Sequence, residues 1–269
     1  MSYEILVLDL DGTLTNSKKE ITPPTMAGLM RIQQNGKRVV LASGRPINGV
    51  FPLAKQLDLH KYGGYILSFN GGRITNCSTD EIIYNRTLPQ DIISPACEIV
   101  KSFGNLDIIT YDKDTILSGI APNEYVEIES RINAMKIRSI DDFPNAINFP
   151  VNKLLVTGSP ETILLAEEAL KKRFHSFLNI YKSEPFFLEI MPQNIDKAYS
   201  LQKLLNSIGL TANEMICCGD GFNDLTMIES AGLGVAMANA QDLVKDSADY
   251  ITKSNDDDGV LHVIEKFMY

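Results

Sequence analysis

The 269-residue chain predicts an α/β fold: a doubly wound parallel-sheet core with a smaller α+β domain inserted in it. Three observations carry this. Short, continuously apolar runs alternate with helical patterns, as in a parallel sheet covered on both faces. Paired carboxylates follow two of those runs, at strand ends where open α/β sheets bind ligands. The texture changes over residues 84–190 and then reverts, which predicts a core of residues 1–83 and 191–269 around an insert.

The elements follow in order. Ile5–Leu8 is a fully buried strand. The next helix has Thr22 as N-cap, Pro23 in the first turn and Gly36 past its end. Val39–Ala42 is the second strand, a helix spans about 48–57, and Tyr65–Phe69 is the third strand. Asn70-Gly71-Gly72 turns into a hairpin returning through Ile82–Tyr84. Within the insert, Ile108–Tyr111 and Thr115–Leu117 pair around Asp112-Lys113-Asp114. A short helix covers Tyr125–Ile132, a strand Lys153–Thr157, a helix Pro160–Phe174, and strands Leu178–Lys182 and Phe186–Met191. The core resumes with the helix Lys197–Ile208, stopped by Gly209, the strand Met215–Cys218, the helix Asp224–Ser230, and the strands Leu233–Met237 and Tyr250–Ile251. The run Asp256–Asp258 is read as the cap of a last helix from Val260.

Composition excludes several classes. A net charge of −9 and a pI near 4.9 argue against a nucleic-acid partner or an anionic membrane surface. No stretch approaches the roughly 18 apolar residues of a membrane helix. Cys77, Cys97, Cys217 and Cys218 form no CxxC, and His60, His175 and His262 make no zinc pattern. The cysteines read as reduced thiols of a cytoplasmic protein, with Cys217 and Cys218 in the core because their stretch is apolar; a redox-active pair is the alternative, disfavoured because no basic neighbour lowers a thiol pKa.

Two aspartates two residues apart, Asp9 and Asp11, can face one crevice, with Gly12 turning the chain behind them. Crowded carboxylates repel unless a cation or a shared proton is present. Gly219-Asp220-Gly221-Phe222-Asn223-Asp224 repeats the arrangement after a second strand, and such hard oxygens suit Mg²⁺. Ser43 adds a hydroxyl beside free backbone N–H groups, and Lys197 a point charge able to reach a phosphate. Taken singly, Ser43 reads as a loop cap and Lys197 as a solvated lysine.

Together Asp9-x-Asp11-Gly12-Thr13, Ser43-Gly44-Arg45, Lys197 and Gly219-Asp220-x-x-Asn223-Asp224 resemble the haloacid dehalogenase (HAD) superfamily, in its usual motif order and over the whole chain. The insert after Asn70-Gly71 and the segment Leu188–Pro192 resemble the Cof-type sugar-phosphatase branch, which carries a type IIB cap. Ala198 and Asp196 depart from the Gly and Ser common in relatives. The resemblance implies a Rossmann-like core and a Mg²⁺-dependent phosphatase in which the cap selects a small phosphorylated metabolite, a sugar phosphate above all. Asp9 is then the nucleophile and Asp11 the general acid and base. Asp9, the Asp11 carbonyl and Asp220 hold Mg²⁺, with Asp224 supporting them; Ser43, Lys197 and Asn223 bind the phosphoryl oxygens. Thr13 is structural, and Arg45 and Glu189 are candidate leaving-group contacts. The expected protein is a monomer with neither nucleic acid nor membrane as partner. A phosphomutase with the same covalent intermediate is the alternative enzyme. A phospho-accepting receiver, or a silent binding protein, is the alternative outside catalysis.

Overall fold

The computed structural model describes residues 2–120, 122–174 and 176–269; His175, one of the three scattered histidines, lies outside them. The chain begins β1 (Ile5–Leu8), α1 (Pro23–Gln34), β2 (Arg38–Ala42), α2 (Ile47–Gln56), α3 (Leu59–Tyr62), β3 (Tyr65–Ser68), β4 (Arg73–Asn76) and β5 (Ile82–Asn85). It continues through α4 (Ile93–Lys101), β6 (Asp107–Asp112), β7 (Thr115–Ser118), α5 (Glu124–Asn133), β8 (Lys136–Ser139), α6 (Phe143–Ala146), β9 (Leu154–Thr157), α7 (Pro160–Phe174), β10 (Leu178–Glu184) and β11 (Phe187–Pro192). It closes with α8 (Lys197–Ile208), β12 (Met215–Gly219), α9 (Leu225–Ser230), β13 (Leu233–Ala236), α10 (Asp242–Asp246), β14 (Tyr250–Ile251) and α11 (Gly259–Phe267). Two units result: residues 1–85 with 196–269, and residues 86–195.

The first unit is an eight-stranded sheet in the order β14-β13-β12-β1-β2-β3-β4-β5. Pairing is parallel from β14 to β3 and antiparallel through β4 and β5. β1 is apolar at every position because successive side chains enter different cores: Leu6 and Leu8 pack in one cluster, Ile5 and Val7 in the other. Each such side chain, fully buried, contributes roughly 1.5–3 kcal/mol. Leu8 lies opposite both Leu41 and Cys218, so β1, β2 and β12 end together and their following loops open side by side.

Local chemistry sets the helix ends. Thr22 accepts from the Thr25 N–H, and Asp196 from the Tyr199 N–H at 2.8 Å. Aspartate thus fills the cap position of α8. Gly209 ends that helix at φ +72°.

The second unit is a six-stranded sheet, β10-β11-β9-β6-β7-β8. Ile93, Val100, Ile163 and Leu170 of α4 and α7 join Ile108, Val156 and Leu188 in one core, while Val126 of α5 packs with Ile109 and Leu155 in another.

Several details differ from the pattern read in the sequence. α3, α4, α6, α10, β4 and β8 have no counterpart there; β4 and β8 are four-residue strands, too short for an alternating signature. β11 runs to Pro192, and the units divide after Asn85 and Ile195 rather than at 84 and 190. The acidic run does not cap α11 with its side chains. Asp256 instead accepts from the Ser17 N–H and hydroxyl, Asp257 from Ser254, and Asp258 from Thr22 and Thr25. Asp258 stands at φ +56° before α11 and makes no side-chain cap bond to it.

Candidate active site

Asp9 continues β1 by one residue, its N–H donating to the Cys218 carbonyl at 3.0 Å, and its side chain is buried beneath the loop ends. Lys197, the first residue of α8, is wholly buried. Its ammonium donates to Asp9 Oδ1 at 2.6 Å, Asp224 Oδ1 at 2.6 Å and the Ala42 carbonyl at 3.0 Å. Those three acceptors use the three protons an ammonium carries. Burial alone would favour the neutral amine, but the facing Asp224 and Asp9 charges outweigh it and drive the lysine pKa upward.

Asp224 is likewise saturated. Its Oδ2 accepts from the Asp220 and Gly221 N–H groups, both at 3.0 Å, so it shapes the 219–224 loop and anchors Lys197. Asp220 Oδ1 accepts from the Thr13 hydroxyl at 2.7 Å, joining that loop to the one after β1. The approach is close enough to demand glycine. A Cβ on Gly12, at φ +86°, would stand 2.4 Å from Asp220 Oδ2.

One ammonium faces three carboxylates. Burial, and then the Asp224 charge, push the Asp9 carboxyl up to about 8; burial raises Asp220 to about 6. Oxygen atoms of Asp9, Asp220 and Asp224 lie within 4.8 Å of one another. Asp224 already accepts three hydrogen bonds, whereas Asp9 Oδ2 and Asp220 Oδ2 accept none among the described residues. A hard divalent cation fits both the donor set and the uncompensated negative charge.

Asp11 has a different environment. Arg45 grips it with Nε to Oδ2 at 2.9 Å and Nη2 to Oδ1 at 2.7 Å, and Lys19 adds Nζ to Oδ1 at 2.8 Å. Burial works against ionisation here, yet the Arg45 and Lys19 charges win and hold the carboxyl below its ordinary value. Ser43 is buried after β2, its Oγ accepting from the Arg45 N–H at 3.2 Å. Asn223 donates to Asn70 Oδ1 at 3.1 Å. Gly71, at φ +101°, packs where a Cβ would meet the Asp196 carbonyl and Ser200 Oγ, which brings the Asn70 turn against the start of α8.

The first unit therefore gathers Asp9, Asp220, Asp224 and Lys197, with Thr13 beside them, and pairs Asp11 with Arg45. Glu189 belongs to the second unit. It is buried on β11, with Lys153 Nζ at 3.2 Å and the Tyr181 hydroxyl at 3.4 Å. Sequence reasoning missed three residues. Asn70 was legible only as a turn residue, while Lys19 and Asn239 carry no local pattern; Asn239 donates to the Gly12 carbonyl at 2.8 Å.

Comparison with known proteins decides the family. Residues 6–264 match the haloacid dehalogenase-like hydrolases. The chain belongs to that family. A haloacid dehalogenase-like hydrolase from Bacteroides thetaiotaomicron superposes with TM-score 0.95 and 48% identity over 98% of this chain and 99% of that one. Among curated relatives carrying phosphatase names, YxeH of Bacillus subtilis (strain 168) is 30% identical over 275 residues, 99% of this chain and 98% of that protein. The subclass IIB sugar phosphatase BT4131 shares the fold at TM-score 0.81 and 24% identity, covering 98% of each chain. The parallel-sheet core interrupted by an α+β unit is the expected architecture, and the activity class is that of a phosphoric monoester hydrolase. Among the described residues, no helix is long and apolar enough to cross a membrane.

Proposed function

We propose that the protein hydrolyses small phosphomonoesters, sugar phosphates above all, with Mg²⁺ and through an aspartyl-phosphate on Asp9. One observation carries this reading: a buried carboxylate at the end of β1 has Oδ1 locked on Lys197, no hydrogen bond to Oδ2 among the described residues, and an oxygen within 4.8 Å of one on Asp220. An oriented, desolvated carboxylate of this kind is a nucleophile held for in-line attack.

Asp9 Oδ2 attacks phosphorus as the bond to the leaving oxygen breaks, and Asp11 gives that oxygen a proton. Water then attacks phosphorus, Asp11 takes its proton, and the phosphorus–Asp9 bond breaks to release phosphate and restore the carboxylate. Arg45 and Lys19 hold Asp11 ionised, so the first transfer requires the carboxyl to take up a proton as it leaves that ion pair. Ser43, with its hydroxyl proton uncommitted among the described residues, and Asn223 supply donors for phosphoryl oxygens. Asp9, the Asp11 carbonyl and Asp220 would hold Mg²⁺, which when bound supplies charge neutralisation and Lewis acidity at the phosphoryl group. Substrate choice is assigned to the inserted unit.

The test is phosphate release by the full chain from hexose phosphates, pentose phosphates and p-nitrophenyl phosphate, in Mg²⁺ and in EDTA. Free phosphate should appear only with Mg²⁺. Undiminished turnover in chelator refutes the metal requirement, and transfer to a second hydroxyl in place of release marks a mutase.

A further inference from the structure

We propose that Asn239 is a positioning residue that fixes the spacing of the two carboxylate-bearing loops, 9–13 and 219–224, and so sets the affinity for the divalent cation. The inference rests on the cation reading above.

Asn239 sits in the turn after β13, which is welded to the Asp220 loop through the backbone. The Met237 N–H donates to the Gly219 carbonyl at 3.0 Å and the Gln241 N–H to the Asp220 carbonyl at 3.1 Å. From that turn the Asn239 amide reaches two other segments. Nδ2 donates to the Gly12 carbonyl at 2.8 Å, and Oδ1 accepts from the Asn255 N–H at 3.0 Å. Asn255 in turn donates to the Thr15 carbonyl at 2.9 Å, and Asp256 accepts from the Ser17 N–H at 2.8 Å. The 12–17 segment is therefore tied at three points to residues 239–256.

The tie at Gly12 matters most. Glycine at φ +86° leaves the following peptide without a side chain to limit its rotation, and that peptide carries Thr13, whose hydroxyl holds Asp220 Oδ1. A hydrogen bond to the Gly12 carbonyl fixes this peptide plane. Gly12 also packs against Asp220 Oδ2, so a small drift of the loop changes the gap between Asp9 and Asp220. The Asn239 amide donates to Gly12 and accepts from Asn255 at once; an aspartate in its place cannot donate.

The test compares the full chain with Asn239→Ala and the nearly isosteric Asn239→Asp. Mg²⁺ affinity is measured by calorimetry and by the Mg²⁺-induced shift in Tm, alongside turnover of p-nitrophenyl phosphate across Mg²⁺ concentrations. Both variants should bind Mg²⁺ about 10-fold more weakly, the low end for groups behind a metal ligand because Asn239 is exposed. Saturating Mg²⁺ should restore kcat, a rescue that a merely unstable fold does not show. Equal affinity in the parent and both variants overturns the inference alone, as does a loss of kcat that saturating Mg²⁺ leaves in place. A parent chain that binds no Mg²⁺ overturns the cation reading and this inference with it. If the alanine variant fails to fold, Asn239→Asp decides.

Discussion

Replacing Asp9 with asparagine should abolish turnover and, in chelator, make the protein more stable. The Asp9 carboxyl is raised to about 8 by burial and by the Asp224 charge, against 3.8 in the free group. Stability tied to such a group is full below the unfolded value, where both states are protonated, and is lost as pH climbs to the folded value. Each pH unit in that window costs about 1.4 kcal/mol, so between pH 5 and pH 7 the parent should lose about 2–3 kcal/mol that the asparagine variant keeps. The amide oxygen still accepts from Lys197, whose bonds to Asp224 and Ala42 are untouched. For a unit of this size that is roughly 4–12 °C in Tm. Mg²⁺ should narrow the gap. At 100 times its Kd it stabilises the parent by about 2.7 kcal/mol, and the variant less because one ligand is gone. The assay is thermal and denaturant unfolding of both proteins at pH 5, 6, 7 and 8, in EDTA and in Mg²⁺. A variant less stable than the parent at pH 8 in EDTA, or a difference that does not grow with pH, refutes the reasoning that the site stores uncompensated charge.

Two further outcomes are expected. Asp11→Asn should leave the fold intact but cut turnover by about 10²–10⁴-fold, most with poor leaving groups and least with p-nitrophenol, as loss of a proton donor requires; steady-state kinetics on both substrate types check this. In the second unit, Lys153→Met leaves Glu189 buried and unpaired and should cost about 3–5 kcal/mol in denaturant unfolding, whereas Lys153→Met with Glu189→Leu should recover most of it.

The strands and helices of the core were legible because their signals are local. Ile5–Leu8 is apolar throughout, Thr22 and Pro23 announce α1, and Gly209 ends α8, each within a few residues of the structure it specifies. The position of the motif carboxylates at strand ends was legible for the same reason, since the apolar runs and the glycine-bearing loops that follow them are adjacent in sequence. The pairings were not. Lys197 meets Asp9 across 188 residues, Thr13 meets Asp220 across 207, and Asn239 meets Gly12 across 227. Local periodicity carries no information about such distances, so Lys197 reads as a phosphate ligand and only the fold makes it the buried bridge between two aspartates. The sequence also supplies the acidic run at 256–258 without its partners, and the tertiary structure commits it to Ser17, Thr22 and Thr25 instead of to the helix that follows. Residue type determines what each group can do; which charges face one another, and hence which carboxyl is held ionised and which is pushed up, is decided when distant strand ends are brought side by side.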